Sequence, residues 1–412
     1  MIKVQRNLEV TVQNLLRDFP IVTLIGARQV GKTELAKKVC PSWKYFDLEN
    51  FGDLERIRMD PDFFFQENSQ GLILDEAQEC PEIFKILRGV VDRDRGKKGR
   101  FILTGSSSPE LMKQVSESLA GRVALVEVGT LKANEFYEKP LSPFYSLFEN
   151  QGDDVLRKLP QLTPQLSVAE VRSFWFHGGY PEPSLARNAS FYQNWMEQYQ
   201  KTYIERDIRK LFPRINSHRY QKFISILAEL SGTIINRSEL AALIEVSQPT
   251  ISHYLAIADG TLIWRTLPGF SRSKSKSLVK MPKGHLRDSG LHHFLAKSPN
   301  LESLLRTSIF GRSFEAFVIE EILKGLAAAG ITNWNYYFYR TRSRAEIDLI
   351  LDGNFGLIPI EIKFSSKVEA KDLRHLHSFM EEYKSPLGLL VNQSMEVQRL
   401  SAKVIQVPVG LL

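Results

Sequence analysis

At 412 residues the chain is long enough for about two or three domains rather than one core. Its hydrophobic content of 43% and charged content of 25% are those of a globular protein, and it has no internal repeat or low-complexity tract. A net charge of +7 admits a polyanionic partner without requiring one, and two cysteines, Cys40 and Cys80, make neither a disulfide framework nor a metal-ligand spacing.

No run approaches the ~18 apolar residues that span a bilayer. Met1-Ile2-Lys3-Val4 opens no signal-peptide core, so a cytoplasmic location is expected. Leu8, Val12, Leu15, Leu16 and Phe19 recur at helical spacing and stop at Pro20. The apolar run Ile21 to Ile25 then reads as a strand. It ends in Gly26-Ala27-Arg28-Gln29-Val30-Gly31-Lys32-Thr33, which is G-x-x-x-x-G-K-T. In that pattern the glycines let successive N–H groups face the β- and γ-phosphates of ATP, the lysine adds a charge, and the threonine offers a hydroxyl to Mg²⁺. The helix opened by Lys32 presents its positive end to the same phosphates.

Lys44 to Leu48 reads as a second strand. Gly71-Leu72-Ile73-Leu74 is an apolar run suited to a strand buried on both faces, and it ends in Asp75-Glu76. Asp75 is expected to hold the Mg²⁺ shell and Glu76 to orient or deprotonate the attacking water. The charged loop Arg93 to Arg100 reads as solvated. A further strand, Phe101-Ile102-Leu103, runs into Thr104-Gly105-Ser106-Ser107-Ser108, which puts Ser106 where a polar side chain senses the γ-phosphate or holds the water. Arg122 precedes the strand Val123 to Val128; it serves either as a finger to a neighbouring subunit's γ-phosphate or as a surface salt-bridge arginine.

GARQVGKT, LILDEAQECPEIF, RFILTGSSSPELM and SLAGR resemble a bacterial and archaeal family in which an AAA-type P-loop ATPase domain (AAA_14) is followed by a region of unassigned function (DUF4143). HGGYPEP at His177 to Pro183 and TYIERDIRKL at Thr202 to Leu211 resemble that second region. The resemblance implies ATP hydrolysis and says little about the second region's chemistry.

Residues 141 to 200, rich in aromatics and proline, read as a helical lid over the nucleotide site, with Trp175, Phe176, Tyr180 and Trp195 in a core. The run Tyr203 to Arg209 supplies either a second intersubunit arginine or a salt-bridged helix face.

Arg237 to Ile244, capped by Ser238, reads as a short helix. After a break at Glu245-Val246-Ser247, Ser247 caps a second helix from Gln248 to Asp259. This helix-turn-helix offers Gln248, Thr250, Ser252 and His253 to a DNA groove. Thr261 to Leu267 reads as a wing strand, so the module resembles a winged helix. Beyond it Arg272, Lys274, Lys276, Lys280, Lys283 and Arg287 form a basic wing, with Lys274, Lys276 and Lys280 assigned to DNA phosphates.

In the last region an amphipathic helix, Phe314 to Leu323, precedes strands at Trp334 to Arg340, Ala345 to Leu351 and Leu357 to Lys363. Alternation puts Glu361 and Lys363 on one face, with Asp348 on the preceding strand of a hairpin. Asp348, Glu361 and Lys363 resemble the D…E-x-K signature of the restriction-endonuclease-like fold, with Glu315 as the helix carboxylate. The resemblance implies Mg²⁺ held by Glu315, Asp348 and Glu361, with Lys363 activating water. An inactive relic of that fold and an ordinary cross-strand Lys-Glu pair remain open beside it.

The expected architecture is multidomain α/β: a parallel P-loop AAA-type ATPase domain (1–135), a helical lid (136–210), a winged helix (211–300) and a C-terminal restriction-endonuclease-like α/β domain (301–412). The expected activity is Mg-ATP hydrolysis coupled to DNA, duplex or branched, by a homo-oligomer, for which a ring is one form. The alternative is an ATP-dependent switch whose winged helix binds DNA or protein and whose nuclease-like domain is inactive.

Overall fold

The apolar run Ile21–Gly26 is buried along its whole length, as expected of a strand covered on both faces. It forms β1 of a five-stranded parallel sheet with β2 (Lys44–Asp47), β3 (Leu72–Asp75), β4 (Phe101–Ser106) and β5 (Val123–Glu127). The order is β2-β3-β4-β1-β5. Register pairs Gly26 with Ser106 and Asp47 with Asp75, so the polar residues that end these strands gather along one edge of the sheet. Helices α1 (Leu8–Asp18), α2 (Lys32–Val39), α3 (Phe51–Met59), α4 (Pro61–Glu67) and α5 (Ile83–Asp92) connect and cover it. Pro61 opens α4 behind the cap Asp60, which accepts the Phe63 N–H. Phe64, Phe65, Phe84, Leu87 and Phe101 fill the core on one side.

The structure is a computed structural model. It describes residues 4–106, 115, 117–149, 153–202, 208–213, 215–272, 281–341 and 345–412. The four regions read from the sequence group in space into two compact units, residues 5–130 with 256–263, and residues 131–255 with 264–412.

In the second unit a three-stranded antiparallel sheet is formed by β6 (Thr233–Ile234), β7 (Trp264–Leu267) and β8 (Lys283–Leu286), in the order β6-β8-β7. With the helices Ser217–Leu230, Arg237–Ile244 and Gln248–Gly260 this is the chain order of a winged helix. The first helix of the helix-turn-helix is capped by Asn236, which accepts the N–H groups of Ser238 and Glu239; the expected cap Ser238 is already inside the helix. Ser247 caps the second, accepting the Thr250 N–H at 3.3 Å, and Glu245 makes the break with φ +58°.

A six-stranded mixed sheet contains β9 (Trp334–Arg340), β10 (Glu346–Gly353), β11 (Gly356–Ile362), β12 (Gly388–Asn392), β13 (Gln398–Arg399) and β14 (Val404–Pro408), ordered β13-β14-β12-β11-β10-β9. Strands β9, β10 and β11 are antiparallel neighbours, while β11, β12 and β14 run parallel. The helix Phe310–Ala328 contributes Phe314, Phe317 and Ile322 to the core beneath this sheet. Phe144, Tyr145, Phe148, Phe174, Trp175 and Phe176 enter the same core. Six aromatics of the segment expected to form a lid thus pack on the C-terminal sheet, while Tyr180, Trp195 and Tyr199 pack against one another. A buried pair fastens the chain just before that segment: Lys132 Nζ lies 3.1 Å from Glu321 Oε2 and 2.9 Å from the Tyr145 hydroxyl.

The start of the expected wing is joined to the C-terminal sheet, where it packs in a separate small core. Phe338 donates its N–H to Pro268 O at 3.0 Å, Phe270 donates to Phe338 O at 2.7 Å, and the Phe270 ring packs with Ile347, Ile350 and Phe379. Lys274, Lys276 and Lys280 lie outside the described residues, as do Tyr203 to Asp207 of the second arginine segment. No described helix is long and apolar enough to cross a membrane.

Candidate nucleotide site and a second carboxylate cluster

The loop between β1 and α2 depends on two glycines. A Cβ at Gly26 would stand 2.4 Å from Val128 O, and Gly31 has φ +90°, which favours glycine. Gln29 also takes a positive φ, 66°. Between them the chain turns so that α2 starts at Lys32, whose side chain is buried and donates to Ala27 O at 3.0 Å and Gly26 O at 3.3 Å. Burial pulls the Lys32 ammonium below its usual range, with Glu76 and Asp75 opposing.

Asp75, at the end of β3, is the hub of the site. Its Oδ2 accepts from Thr33 Oγ1 at 2.8 Å and from the Tyr45 hydroxyl at 2.7 Å; its Oδ1 accepts from the Thr104 hydroxyl. Glu76 has φ +51°, and its carboxylate accepts from Gln78 Nε2 at 2.5 Å. The sheet therefore brings Thr33, Asp75 and Glu76 together. The residue of β4 that reaches Asp75 is Thr104; Ser106 sits two residues on, opposite Gly26 in the register.

Tyr45 and Arg6 belong to the site's frame and were not singled out from the sequence. Arg6 is buried and donates to Val30 O and to Gly129 O, both at 2.8 Å, tying the phosphate loop to the chain after β5. Tyr45 is flagged by nothing but its place on an alternating strand, with Lys37 Nζ 3.6 Å from its ring centroid. Arg122 is gripped at both ends of its guanidinium by Asp92, at 2.8 and 2.9 Å. That is the salt-bridge alternative; a finger would first have to leave this bidentate pair. In the charged loop, Arg93 pairs with Asp62 at 2.7 Å and Lys97 with Asp94 at 2.6 Å, as solvated ion pairs do.

The second unit brings Glu315, Asp348, Glu361 and Lys363 into one cluster. Asp348 Oδ2 accepts the Ile362 N–H at 2.8 Å, and Lys363 Nζ reaches Glu361 Oε1 at 2.6 Å. Glu361 Oε2 is buried and accepts no hydrogen bond among the described residues. The cluster also contains Lys283, which the sequence placed in the basic wing. Its Nζ lies 2.5 Å from Glu315 Oε1 and 2.9 Å from Glu346 Oε1. Burial alone would lower the Lys283 ammonium, but Glu315, Asp348 and Glu346 together hold it above its usual range. Burial, and then Asp348, push both Glu315 and Glu361 up to about 8.

Arg287, the other end of the expected wing, also turns inward. Its Nε lies 3.5 Å from Glu320 Oε2, a buried carboxylate that also accepts from Arg265 Nη2 at 3.1 Å and meets His285 Nε2 at 3.0 Å. Burial would raise Glu320, and Arg265 and Arg287 instead hold it well below the usual carboxylate range. Arg272 donates to Glu382 O at 2.9 Å. On the helix-turn-helix, Gln248 and His253 are exposed and Thr250 and Ser252 partly so; Thr250 Oγ1 is 2.9 Å from Ser247 Oγ, and Ser252 Oγ accepts from Arg237 at 3.4 Å.

Residues 18–137 match a family model described as an AAA domain. Over 364 residues the chain is 31% identical to the uncharacterized protein Rv2008c of Mycobacterium tuberculosis, covering 88% of this chain and 74% of that protein. The chain belongs to that protein's family. It is an AAA-type P-loop ATPase. Residues 168–302 and 310–412 match two domains of unknown function, DUF8612 and DUF4143. The motifs at His177 and Thr202, expected in the DUF4143 region, fall instead in the span before it. The chain is also similar to the uncharacterized protein MJ1544 of Methanocaldococcus jannaschii, 22% identical over 383 residues, 88% of this chain and 79% of that one. Among solved structures, the Walker-type ATPase PABY2304 of Pyrococcus abyssi superposes loosely, with TM-score 0.44, 16% identity, and 70% of this chain and 94% of that chain covered.

Proposed function

We propose that this ATPase uses Mg-ATP to act on DNA as a motor or translocase, working as a homo-oligomer in the cytoplasm. The observation that carries the DNA part is a helix-turn-helix in winged-helix order, with Gln248 and His253 exposed, in the same chain as a P-loop ATPase. The working parts in this reading are the ATPase domain (1–135), a connecting region (136–210), the winged helix (211–300) and the C-terminal domain (301–412).

In the nucleotide site Lys32 exchanges the carbonyls of Gly26 and Ala27 for phosphate oxygens, and the backbone N–H groups of residues 27 to 33 take the rest. The oxygens of Thr33 and Asp75 suit Mg²⁺, a hard cation that neutralises phosphate charge when bound. Glu76, steadied by Gln78, orients and deprotonates the attacking water, and Thr104 fixes Asp75 from the neighbouring strand. Charged residues beyond β7, Lys274, Lys276 and Lys280 among them, contact DNA phosphates. Duplex or branched DNA should raise the rate of ATP turnover. Charge reversal at those three lysines should weaken DNA binding and flatten its dependence on salt. Turnover indifferent to DNA would leave the second reading, an ATP-dependent switch with an inactive nuclease-like domain. The placement of Lys283 among the C-terminal carboxylates favours the non-cutting part of that reading.

A further inference from the structure

The C-terminal carboxylates Glu315, Glu346, Asp348 and Glu361 gather in one cluster, and an ammonium stands among them. Lys283 Nζ is 2.5 Å from Glu315 Oε1 and 2.9 Å from Glu346 Oε1, with Asp348 close enough to act on its charge. We propose that Lys283 is a built-in cation that closes this cluster, so that the C-terminal domain keeps its fold without a divalent metal and does not cut nucleic acid.

Strand alternation fixes Lys283 in this place. On β8 and just beyond it, Lys283, His285 and Arg287 share one face, and the last two are held by Glu320, five residues after Glu315 on the helix Phe310–Ala328. Lys283 is buried and so cannot withdraw to solvent as a surface lysine does.

One oxygen of each carboxylate is also committed. Glu315 and Glu346 face Lys283, Glu361 Oε1 faces Lys363, and Asp348 Oδ2 takes the Ile362 N–H. Glu361 Oε2 is a buried carboxylate oxygen that accepts no hydrogen bond among the described residues, whereas Mg²⁺ takes about six oxygens in a near-octahedral shell. Among the described residues no group of three or more His, Cys, Asp or Glu side chains stands in an arrangement that holds a metal. A divalent ion brought between these carboxylates would press against the Lys283 ammonium at a separation where like charges repel strongly in a buried site. The inference does not depend on DNA being the partner of the ATPase.

The test uses the full chain without nucleotide and reads its melting temperature and Mn²⁺ binding. Asp348→Asn should leave both responses to Mn²⁺ as they are in the parent. Lys283→Gln should create a Mn²⁺ site that binds at least tenfold more tightly than anything in the parent, and Lys283→Gln with Asp348→Asn should lose it. A parental Mn²⁺ response that Asp348→Asn abolishes would overturn the proposal. So would a folded Lys283→Gln chain that gains no Mn²⁺ site, since Lys283 would then not be what keeps the ion out. If Lys283→Gln does not fold, the comparison of Asp348→Asn with the parent decides alone.

Discussion

Two buried lysines behave in opposite ways. Lys32 points at the neutral carbonyls of its own loop and is pulled below the usual ammonium range by burial; Lys283 points at carboxylates and is held above it. A carbonyl is a partner that a phosphate can displace, because the exchange brings charge to an ammonium whose hydrogen bonds go to neutral carbonyls. A carboxylate pair leaves nothing to gain. The first lysine is therefore poised to receive a ligand, and the second is already satisfied.

Breaking the first lysine should have the largest effect. Lys32→Ala should abolish tight ATP binding, while Glu76→Gln should keep binding and slow turnover by roughly 10² to 10⁴, the range for loss of a general base. Filter binding and phosphate release separate the two. Equal loss of affinity in both variants would erase the division between holding phosphate and handling water.

Breaking the second should cost stability rather than turnover chemistry. Lys283→Met leaves Glu315, Asp348 and Glu346 without their cation, and such breakage of a buried pair costs about 3–5 kcal/mol. Denaturant unfolding followed by tryptophan fluorescence reads this loss, since Trp175, Trp195, Trp264 and Trp334 all lie in the second unit. A loss below about 1 kcal/mol, the level of an exposed pair, would mean that Lys283 is not the cluster's cation.

His292 sharpens the comparison as a third buried base with a neutral partner. Its Nε2 is 2.8 Å from Ala228 O, and burial, then His293, push its pKa down to about 3. It is neutral in the folded chain and takes up a proton on unfolding below about pH 6.5. Its contribution is complete above that value and is lost as pH falls toward 3. His292→Gln should therefore make stability fall less steeply with acid between pH 6 and 4, by about 1.4 kcal/mol per pH unit. An unchanged slope would show that His292 is charged in the fold, as Lys283 is.

The same contrast marks what was legible in the sequence. The phosphate loop and Asp75-Glu76 could be read because each is contiguous and each follows an apolar strand. Tyr45 and Thr104 meet Asp75 from two other strands, 30 and 29 residues away, and no local pattern announces such a meeting. Asp348, Glu361 and Lys363 were legible through a hairpin and its alternation. Lys283 reads as part of a basic wing because residues 272 to 287 form one cationic run, yet its side chain lies among carboxylates. The period of two in Lys283, His285 and Arg287 was present in that run and marks one strand face, but the carboxylates it meets lie on a helix that begins at Phe310. Residues 141 to 200 declared a core by their aromatics without saying which sheet they would cover.

The most direct test of the account is one incubation of the full chain with Mg²⁺, ATP and supercoiled plasmid, reading phosphate release and strand breaks together. The account predicts ATP turnover raised by DNA, no nicks, and no change in either readout on Asp348→Asn. Turnover indifferent to DNA, or nicking that Asp348→Asn removes, would contradict it.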